Sequence, residues 1–106
     1  MARPAPFIIL FPESLKDDLR HLDRKWHGTI RDSIIEQLQF TPDVETRNRK
    51  RLRTPIDAAQ WELRCGPDNR FRVLYNSRVE THEVQIVAIG EKRNNELWVR
   101  GVKVHP

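Results

Sequence analysis

The spacing of apolar residues changes along the chain, from a short continuous run to helical spacing and then to alternation. The apolar run at residues 7–11 is ended by Pro12 and predicts a buried strand. Apolar residues spaced four, three and four positions apart then predict one face of a helix over residues 13–26, ended by Gly28. These residues are Leu15, Leu19, Leu22 and Trp26.

A second helix is predicted directly after Gly28. Residues 29–32 resemble a capping box with aspartate in place of glutamate, and Ile30, Ile34 and Leu38 form an apolar face. The helix is expected to end near Phe40, because the residue before a proline disfavours helical geometry. Two helices joined by a tight turn predict an antiparallel helical hairpin.

The second half of the chain predicts an antiparallel meander. Residues 41–58 hold two prolines and many cations, which favours a long surface loop. Strands are then predicted at residues 60–64, 71–75 and 83–89, with turns at 66–69 and 94–95 and a last strand or short helix at 97–104. The whole is a single α+β domain over residues 1–106, with helices on one face of the sheet. The other face must be solvated or occupied by a partner.

Composition narrows the class of protein. The net charge is +4, and the acidic residues gather in the first third while the second half is basic. One cysteine, Cys65, permits no intramolecular disulfide, so a reducing compartment is the simplest interpretation. The apolar run near the N-terminus is too short for a signal peptide or a membrane span, which predicts a cytoplasmic protein. No cluster of metal ligands is visible in the sequence, and no metal or cofactor is expected.

The densest charge lies within seven residues of the predicted loop. Cations at this density bind phosphates without reading sequence, although such runs are usually only solvated. The predicted RNA-contacting residues are Arg47, Arg49, Lys50, Arg51, Arg53 and, on the following strand, Arg64.

Strand alternation predicts a polar face. Arg72 lies between two apolar residues, and Glu62 and Arg64 alternate with Trp61 and Leu63, so the three charged side chains are expected on one face. Two interpretations stay open. The face is either a set of cross-strand ion pairs or a site where Glu62 acts as a general base and Arg72 binds phosphate.

Other titratable residues are weaker candidates. His82 and His105 have a suitable intrinsic pKa for proton transfer but are expected to be exposed bystanders. Tyr75 is either a core aromatic or a base-stacking residue, and Cys65 is expected to be an inert core residue. Trp98 is a candidate for a protein-binding surface.

The order of three motifs resembles the strand signature of RelE/ParE toxins. The motifs are residues 61–64 (WELR), 71–75 (FRVLY) and 86–93 (IVAIGEKR), preceded by the predicted helical hairpin and by residues 46–50 (TRNRK). The resemblance covers residues 7–93 and implies a microbial-ribonuclease-like sheet. It also implies a toxin of a toxin–antitoxin pair that arrests growth.

The resemblance implies two alternative targets. RelE-like members cleave messenger RNA in the ribosome and inhibit translation, while ParE-like members inhibit DNA gyrase without cleavage. Members of both groups are held by an antitoxin, and operator DNA is bound only through that complex. A third alternative is a non-catalytic nucleic-acid-binding or regulatory domain on the same fold.

The implied catalytic residues are Arg72, which matches the arginine of the middle strand, and either Lys92 or Arg93 after the third strand. Two lysines of RelE-like members correspond here to Gln60 and Glu62, so a lysine base is missing. We therefore expect a metal-independent endoribonuclease that uses 2′-OH attack, with Glu62 as the candidate base.

Overall fold

The computed structural model describes residues 4–104 as an α+β fold in which two helices accompany a curled, largely antiparallel sheet. The elements in chain order are β1 (Ile8–Leu10), α1 (Leu15–Arg20), α2 (His27–Leu38), β2 (Arg49–Ile56), β3 (Ala59–Cys65), β4 (Phe71–Arg78), β5 (Glu83–Arg93), β6 (Glu96–Val99) and β7 (Val102–Val104). None of the helices in this part of the chain has the length and apolar character needed to cross a membrane.

The sheet has the strand order β2-β3-β4-β5-β6-β7. β1 is an additional strand that runs parallel to the beginning of β5, whereas β6 pairs with the end of β5 on the same side. The predicted strands at 60–64, 71–75 and 83–89 are confirmed, but β4 and β5 extend further at their C-terminal ends. The longer strands leave only residues 79–82 as the turn between β4 and β5.

The larger hydrophobic core lies between the helices and one face of the sheet. It is built from every second residue of β3 and β4, among them Leu63, Val73 and Tyr75, together with Ile34 and Leu38 of α2. This confirms the predicted layer arrangement, because a helix with one apolar stripe must cover an apolar sheet face.

The first helix is shorter than predicted. α1 ends at Arg20, and a single turn of 3-10 helix follows at Arg24–Trp26. Asp23 causes the interruption, because its carboxylate accepts a hydrogen bond from the Lys25 amide (3.1 Å) and starts a new helical turn. Leu22 and Trp26 still reach the core, so the apolar spacing survives without a continuous helix.

Two further boundaries were predicted wrongly. Gly28 lies inside α2 rather than at the end of a helix, because the preceding turn passes directly into α2. The residues of β1 are also less buried than predicted, with Ile8 61% exposed and Leu10 41% exposed. β1 pairs only with β5, and Phe7, just before it, is the residue that enters the core.

The predicted loop over residues 41–58 is partly wrong, because its second half forms β2. β2 pairs with β3 through a two-residue turn, Asp57-Ala58, in which both residues have positive φ (49° and 68°). This turn geometry matches the right-handed twist of the flanking strands. Pro55 is tolerated because β2 is an edge strand and the register shifts there.

The last predicted element is a hairpin of two strands, and its apolar residues build a second core. Leu97, Val99 and Val104 pack with Leu74 and Ala88 on the sheet face away from the helices. Gly90 permits this close approach, because a Cβ atom there would lie 2.5 Å from the carbonyl oxygen of Trp98. The sheet face that was predicted to be open is thus covered at one end.

One buried carboxylate joins three elements. Asp18 of α1 is 1% exposed, accepts a hydrogen bond from the Ile89 amide of β5 (2.9 Å) and pairs with Arg100 in the β6–β7 turn (2.6 Å). The Ile89 amide lies in the stretch of β5 between the residues paired with β1 and those paired with β6. Asp18 therefore satisfies a donor that no strand reaches.

Replacing Asp18 with asparagine should lower the free energy of unfolding by about 1.5–3 kcal/mol. The asparagine amide has one acceptor oxygen and no charge, so either the Ile89 amide or the Arg100 guanidinium loses its acceptor. Urea unfolding measures this difference. The matched control is Asp17→Asn, since Asp17 pairs with Arg20 in the open (60% side-chain exposure) and its loss should change stability by about 0–1 kcal/mol. Equal effects of the two substitutions would contradict the structural role of Asp18.

Candidate functional site

The predicted polar face exists on the side of the sheet away from the helices. Arg64 of β3 lies opposite Arg72 of β4, which in turn lies opposite Gly90 of β5. Lys92, two residues further along β5, therefore belongs to the same face, and so does Glu62. Strand pairing thus brings Glu62 and Lys92 to the face of Arg72, although they are 10 and 20 positions away from it in the sequence.

Arg72 is the most buried cation of this face, at 7% exposure. Its Nη1 atom donates a hydrogen bond to Glu62 Oε1 (2.9 Å), and the same oxygen accepts from Arg64 Nε (3.1 Å). The Nε atom of Arg72 is buried without any hydrogen-bond partner among the described residues. The Trp26 Nε1 and Ser77 Oγ atoms are buried without a partner in the same way, so this atom does not by itself mark a ligand site.

Two clefts meet at Arg72 and Lys92. The first has a volume of about 520 Å³ and is mostly polar, being lined additionally by Asp68, Asn69, Arg70, Asn94 and Asn95. The second has about 310 Å³ and is lined by Glu62, by Lys103 and by apolar residues of β2, β6 and β7. Both volumes lie in the range of small-molecule sites. A ligand that fills both clefts must therefore pass over Arg72 and Lys92, which line both of them.

The structure separates Lys92 from Arg93, which the sequence left as alternatives. Lys92 is exposed and lines both clefts with Arg72. Arg93 lies on the helix-side face, where its Nε donates to Glu91 Oε1 (2.9 Å). Glu91 is 5% exposed and also pairs with Arg70, so Arg93 belongs to an ion-pair cluster around that carboxylate. Of the two alternatives, Lys92 is therefore the one that lies beside Arg72, and Arg93 lines neither cleft.

The basic run divides between the two faces of β2. Arg49 is buried and serves the fold, because its guanidinium donates to the carbonyls of Gln37 in the last turn of α2 (2.6 Å) and of Val44 beyond the helix (3.0 Å). These contacts fix the beginning of β2 against the end of α2. Lys50 pairs in register with Glu62 and is half-buried beside the polar face.

Three cations of the run stay exposed: Arg47, Arg51 and Arg53. The guanidinium of Arg51 lies 5.7 Å from the ring centre of Trp61 and its Nη2 donates to Gln60. Arg51 and Arg53 lie on β2 and Arg47 lies just before it, so the three side chains form a basic margin along the edge of the sheet. Two of the three are thus on a strand instead of in the predicted loop.

The predicted bystanders lie away from the clefts. His82 stacks on Phe7 (ring centres 3.8 Å apart), and its Nε2 lies 2.7 Å from the Ala5 carbonyl oxygen. Tyr75 is buried and donates to the Pro42 carbonyl (2.7 Å), and burial raises the pKa of its hydroxyl, so it serves the core. His105 lies outside the described residues.

The sequence analysis missed the amide and carboxylate groups that line the larger cleft. Asn69 follows β3, and Asn94 and Asn95 follow β5, so two turns at one end of the sheet face each other across Arg72. Asn94-Asn95 was predicted as a turn, but its position beside residues 68–69 depends on pairing between β4 and β5. No group of three potential metal ligands occurs among residues 4–104.

Comparison with known proteins adds no relative. No protein-family model matches the chain, and no curated sequence is significantly similar to it. The candidate site therefore rests on the geometry of its own residues.

Cys65 is buried in the core, as predicted. Burial raises the pKa of its thiol to about 11, and the hydrogen bond with the Ser33 side chain and the charge of Arg72 oppose this rise only in part. The thiolate is the reactive form, so this cysteine is not a nucleophile at neutral pH.

The native protein should therefore react with iodoacetamide at pH 8 far more slowly than the protein unfolded in urea.

Because the pKa of the Cys65 thiol in the folded protein exceeds the ordinary value of 9.0, the thiol's contribution to stability is complete below pH 9 and is lost as the pH rises toward about 11. The loss should approach about 1.4 kcal/mol per pH unit. Urea unfolding at pH 8 and pH 10 should show it in the wild type and not in Cys65→Ala; equal pH dependence would contradict it.

Proposed function

We propose that this protein is a toxin of the RelE/ParE type that cleaves messenger RNA on the ribosome. The single observation that carries the proposal is that Arg72 and Lys92 both line the two adjoining clefts. A phosphodiester has acceptor oxygens for these donors and a nucleoside on each side for the two clefts. The proposed RelE-like arrangement is supported by the order of elements: a strand, two helices and an antiparallel meander.

The cations would act on the phosphate. The guanidinium of Arg72 stays charged and lines both clefts, so it can donate to a non-bridging phosphate oxygen. Lys92 adds a mobile ammonium that neutralises charge as it develops on the phosphate and on the leaving 5′ oxygen. The pairing of β4 with β5 holds the backbones of both residues beside the clefts before the substrate arrives.

Glu62 would accept the proton of the attacking 2′-OH. The 2′ oxygen then forms a bond to phosphorus, the bond from phosphorus to the 5′ oxygen breaks as that oxygen takes up a proton from solvent, and a 2′,3′-cyclic phosphate remains on the upstream fragment. Glu62 lines the smaller cleft with Arg72 and Lys92, which is the required neighbourhood for a base. The dependence on a 2′-OH makes RNA the substrate class.

The exposed margin of Arg47, Arg51 and Arg53 would dock on ribosomal RNA, with Arg64 and Lys50 bordering the polar face. The first third of the chain carries both acidic and basic side chains, whereas the second half is basic. We further propose a cognate antitoxin as partner in the cytoplasm, with operator DNA contacted only by that complex.

The test is cell-free translation of a defined message, with 5′ ends mapped by primer extension. Lys92→Ala should reduce ribosome-dependent cleavage by about 10²–10³-fold, as the loss of a transition-state donor does elsewhere. The matched control is Arg93→Ala, which removes a neighbouring charge from the opposite face and should cleave like the wild type. Equal losses in the two variants would discard the site, and no ribosome-dependent cleavage by the wild type would refute the nuclease.

Two substitutions of Arg72 separate folding from chemistry. Arg72→Ala leaves Glu62 with Arg64 alone, so its unfolding free energy should be measured alongside its activity. Arg72→Lys retains the charge but loses the planar fork, and we expect it to fold and to cleave at least tenfold more slowly. A folded Arg72→Lys protein with wild-type cleavage would contradict the proposed role.

Glu62→Gln distinguishes a base from a structural ion pair. The substitution removes a negative charge from the cleft, so the protein should bind single-stranded RNA more tightly while cleaving messages on the ribosome more slowly. Fluorescence anisotropy with a substrate lacking the 2′-OH at the cut site measures binding without cleavage. Tighter binding with unchanged cleavage would leave Glu62 as an ion-pair residue only.

A ParE-like gyrase inhibitor is the second candidate, and one observation favours it. Among the described residues that line the two clefts there is neither histidine nor tyrosine, and Glu62 Oε1 already accepts from two arginines. If this carboxylate serves only as the ion-pair partner of the arginines, the site binds anions without cleaving them. Inhibition of purified gyrase in a supercoiling assay, with intact messages in the translation assay, would select this candidate.

A further inference from the structure

The larger cleft has a chemistry that phosphate binding does not require. Besides its cations it is lined by three amide side chains, Asn69, Asn94 and Asn95, and by one carboxylate, Asp68. Phosphate oxygens accept hydrogen bonds only, so a carboxylate beside them is unfavourable unless it receives donors of its own. A cleft with both donors and a carboxylate acceptor fits the edge of a nucleobase.

The cleft is also held rigidly. The Lys92 amide donates to the Arg70 carbonyl (2.8 Å), which joins the entry of β4 to the exit of β5. On the other face Glu91 pairs with Arg70 and so fixes the stem of this side chain. Asp68, at φ 54°, stands in a left-handed conformation in its turn. These contacts hold the backbone of the two turns in place without a ligand, which favours selective recognition.

Guanine is the base that complements this lining. It presents two acceptors, O6 and N7, to the Asn amides and to the free Nη atoms of an arginine, and an amino donor at N2 to a carboxylate. Arg70 uses its Nε for Glu91, which leaves its Nη atoms for the cleft. Cytosine and uracil lack an N7 acceptor, and adenine offers an amino donor where guanine has O6.

We propose that the cleft lined by Asp68, Asn69, Arg70, Asn94 and Asn95 is a guanine subsite that selects the nucleotide adjoining the phosphate held by Arg72 and Lys92. The inference rests on the proposed function and adds its sequence preference. Asp68 and the asparagines are specificity-determining residues here, and the chemistry stays with Arg72, Lys92 and Glu62.

The experiment maps cleavage on four messages that differ only in the base next to the cut. The wild type should cut the guanine message most, and Asp68→Asn should reduce its preference for guanine over adenine at least about fivefold, since one bidentate base contact is lost. Asn95→Gly should lower the same ratio without straining the turn, because glycine accepts the φ of 65° at this position.

The matched control is Asp57→Asn. Like Asp68, Asp57 is an exposed aspartate with positive φ (49°). It lies in the two-residue turn between β2 and β3 and lines neither of the clefts that contain Arg72. Its base preference should equal that of the wild type. A wild type that cuts all four messages equally, or an Asp68→Asn protein that behaves like Asp57→Asn, would overturn the subsite while leaving the nuclease intact.

A binding measurement separates the two proposals further. Guanosine monophosphate should shift the side-chain amide signals of Asn69 and Asn95 in NMR spectra more than adenosine, cytidine or uridine monophosphate at equal concentration. Selective shifts without any message cleavage would retain the subsite and reject the nuclease. Equal shifts from all four nucleotides would reject the subsite.

Discussion

The carboxylate of Asp18 is the contact on which the arrangement of the sheet depends. β5 is flanked on one side by two short strands that leave a gap between them, and Asp18 reaches from α1 into that gap. Through Arg100 the same carboxylate holds the β6–β7 turn, and the hydrogen bond between the two raises the pKa of that guanidinium. The hairpin so positioned forms one wall of the smaller cleft, so the helix layer on one face helps to shape the candidate site on the other.

The two faces of the sheet treat their charges differently. On the helix side Glu91 pairs with Arg70 and Arg93, and Arg49 donates to backbone carbonyls, so these cations stabilise the fold. On the opposite face Arg72 pairs with Glu62 but also lines both clefts, together with the exposed Lys92. This contrast, more than the net charge of +4, distinguishes the cations proposed to act on RNA.

Alternation within single strands predicted much of this site. The apolar neighbours of Arg72 and of Glu62 placed both residues on the face away from the helices, and their ion pair was one of the two interpretations of the sequence. The choice between Lys92 and Arg93 was not open to that method, because the face of each depends on where the strand begins and on the pairing of β5 with β4. The basic run was misjudged for a related reason. Its alternation of cations with apolar and polar residues is also typical of a solvated loop, and only pairing with β3 makes it a strand.

The sequence by itself determined the layer order, the helical face that enters the core, the inert Cys65 and the polar side of the middle strands, since each follows from periodicity within one element. The tertiary structure alone decided that Arg49 is structural, that β6 and β7 build a second core, and that two distant turns enclose a polar cleft beside Arg72. These features depend on strand register and on the approach permitted by Gly90. They are relations between segments far apart in the chain, which the pattern of any one segment does not contain.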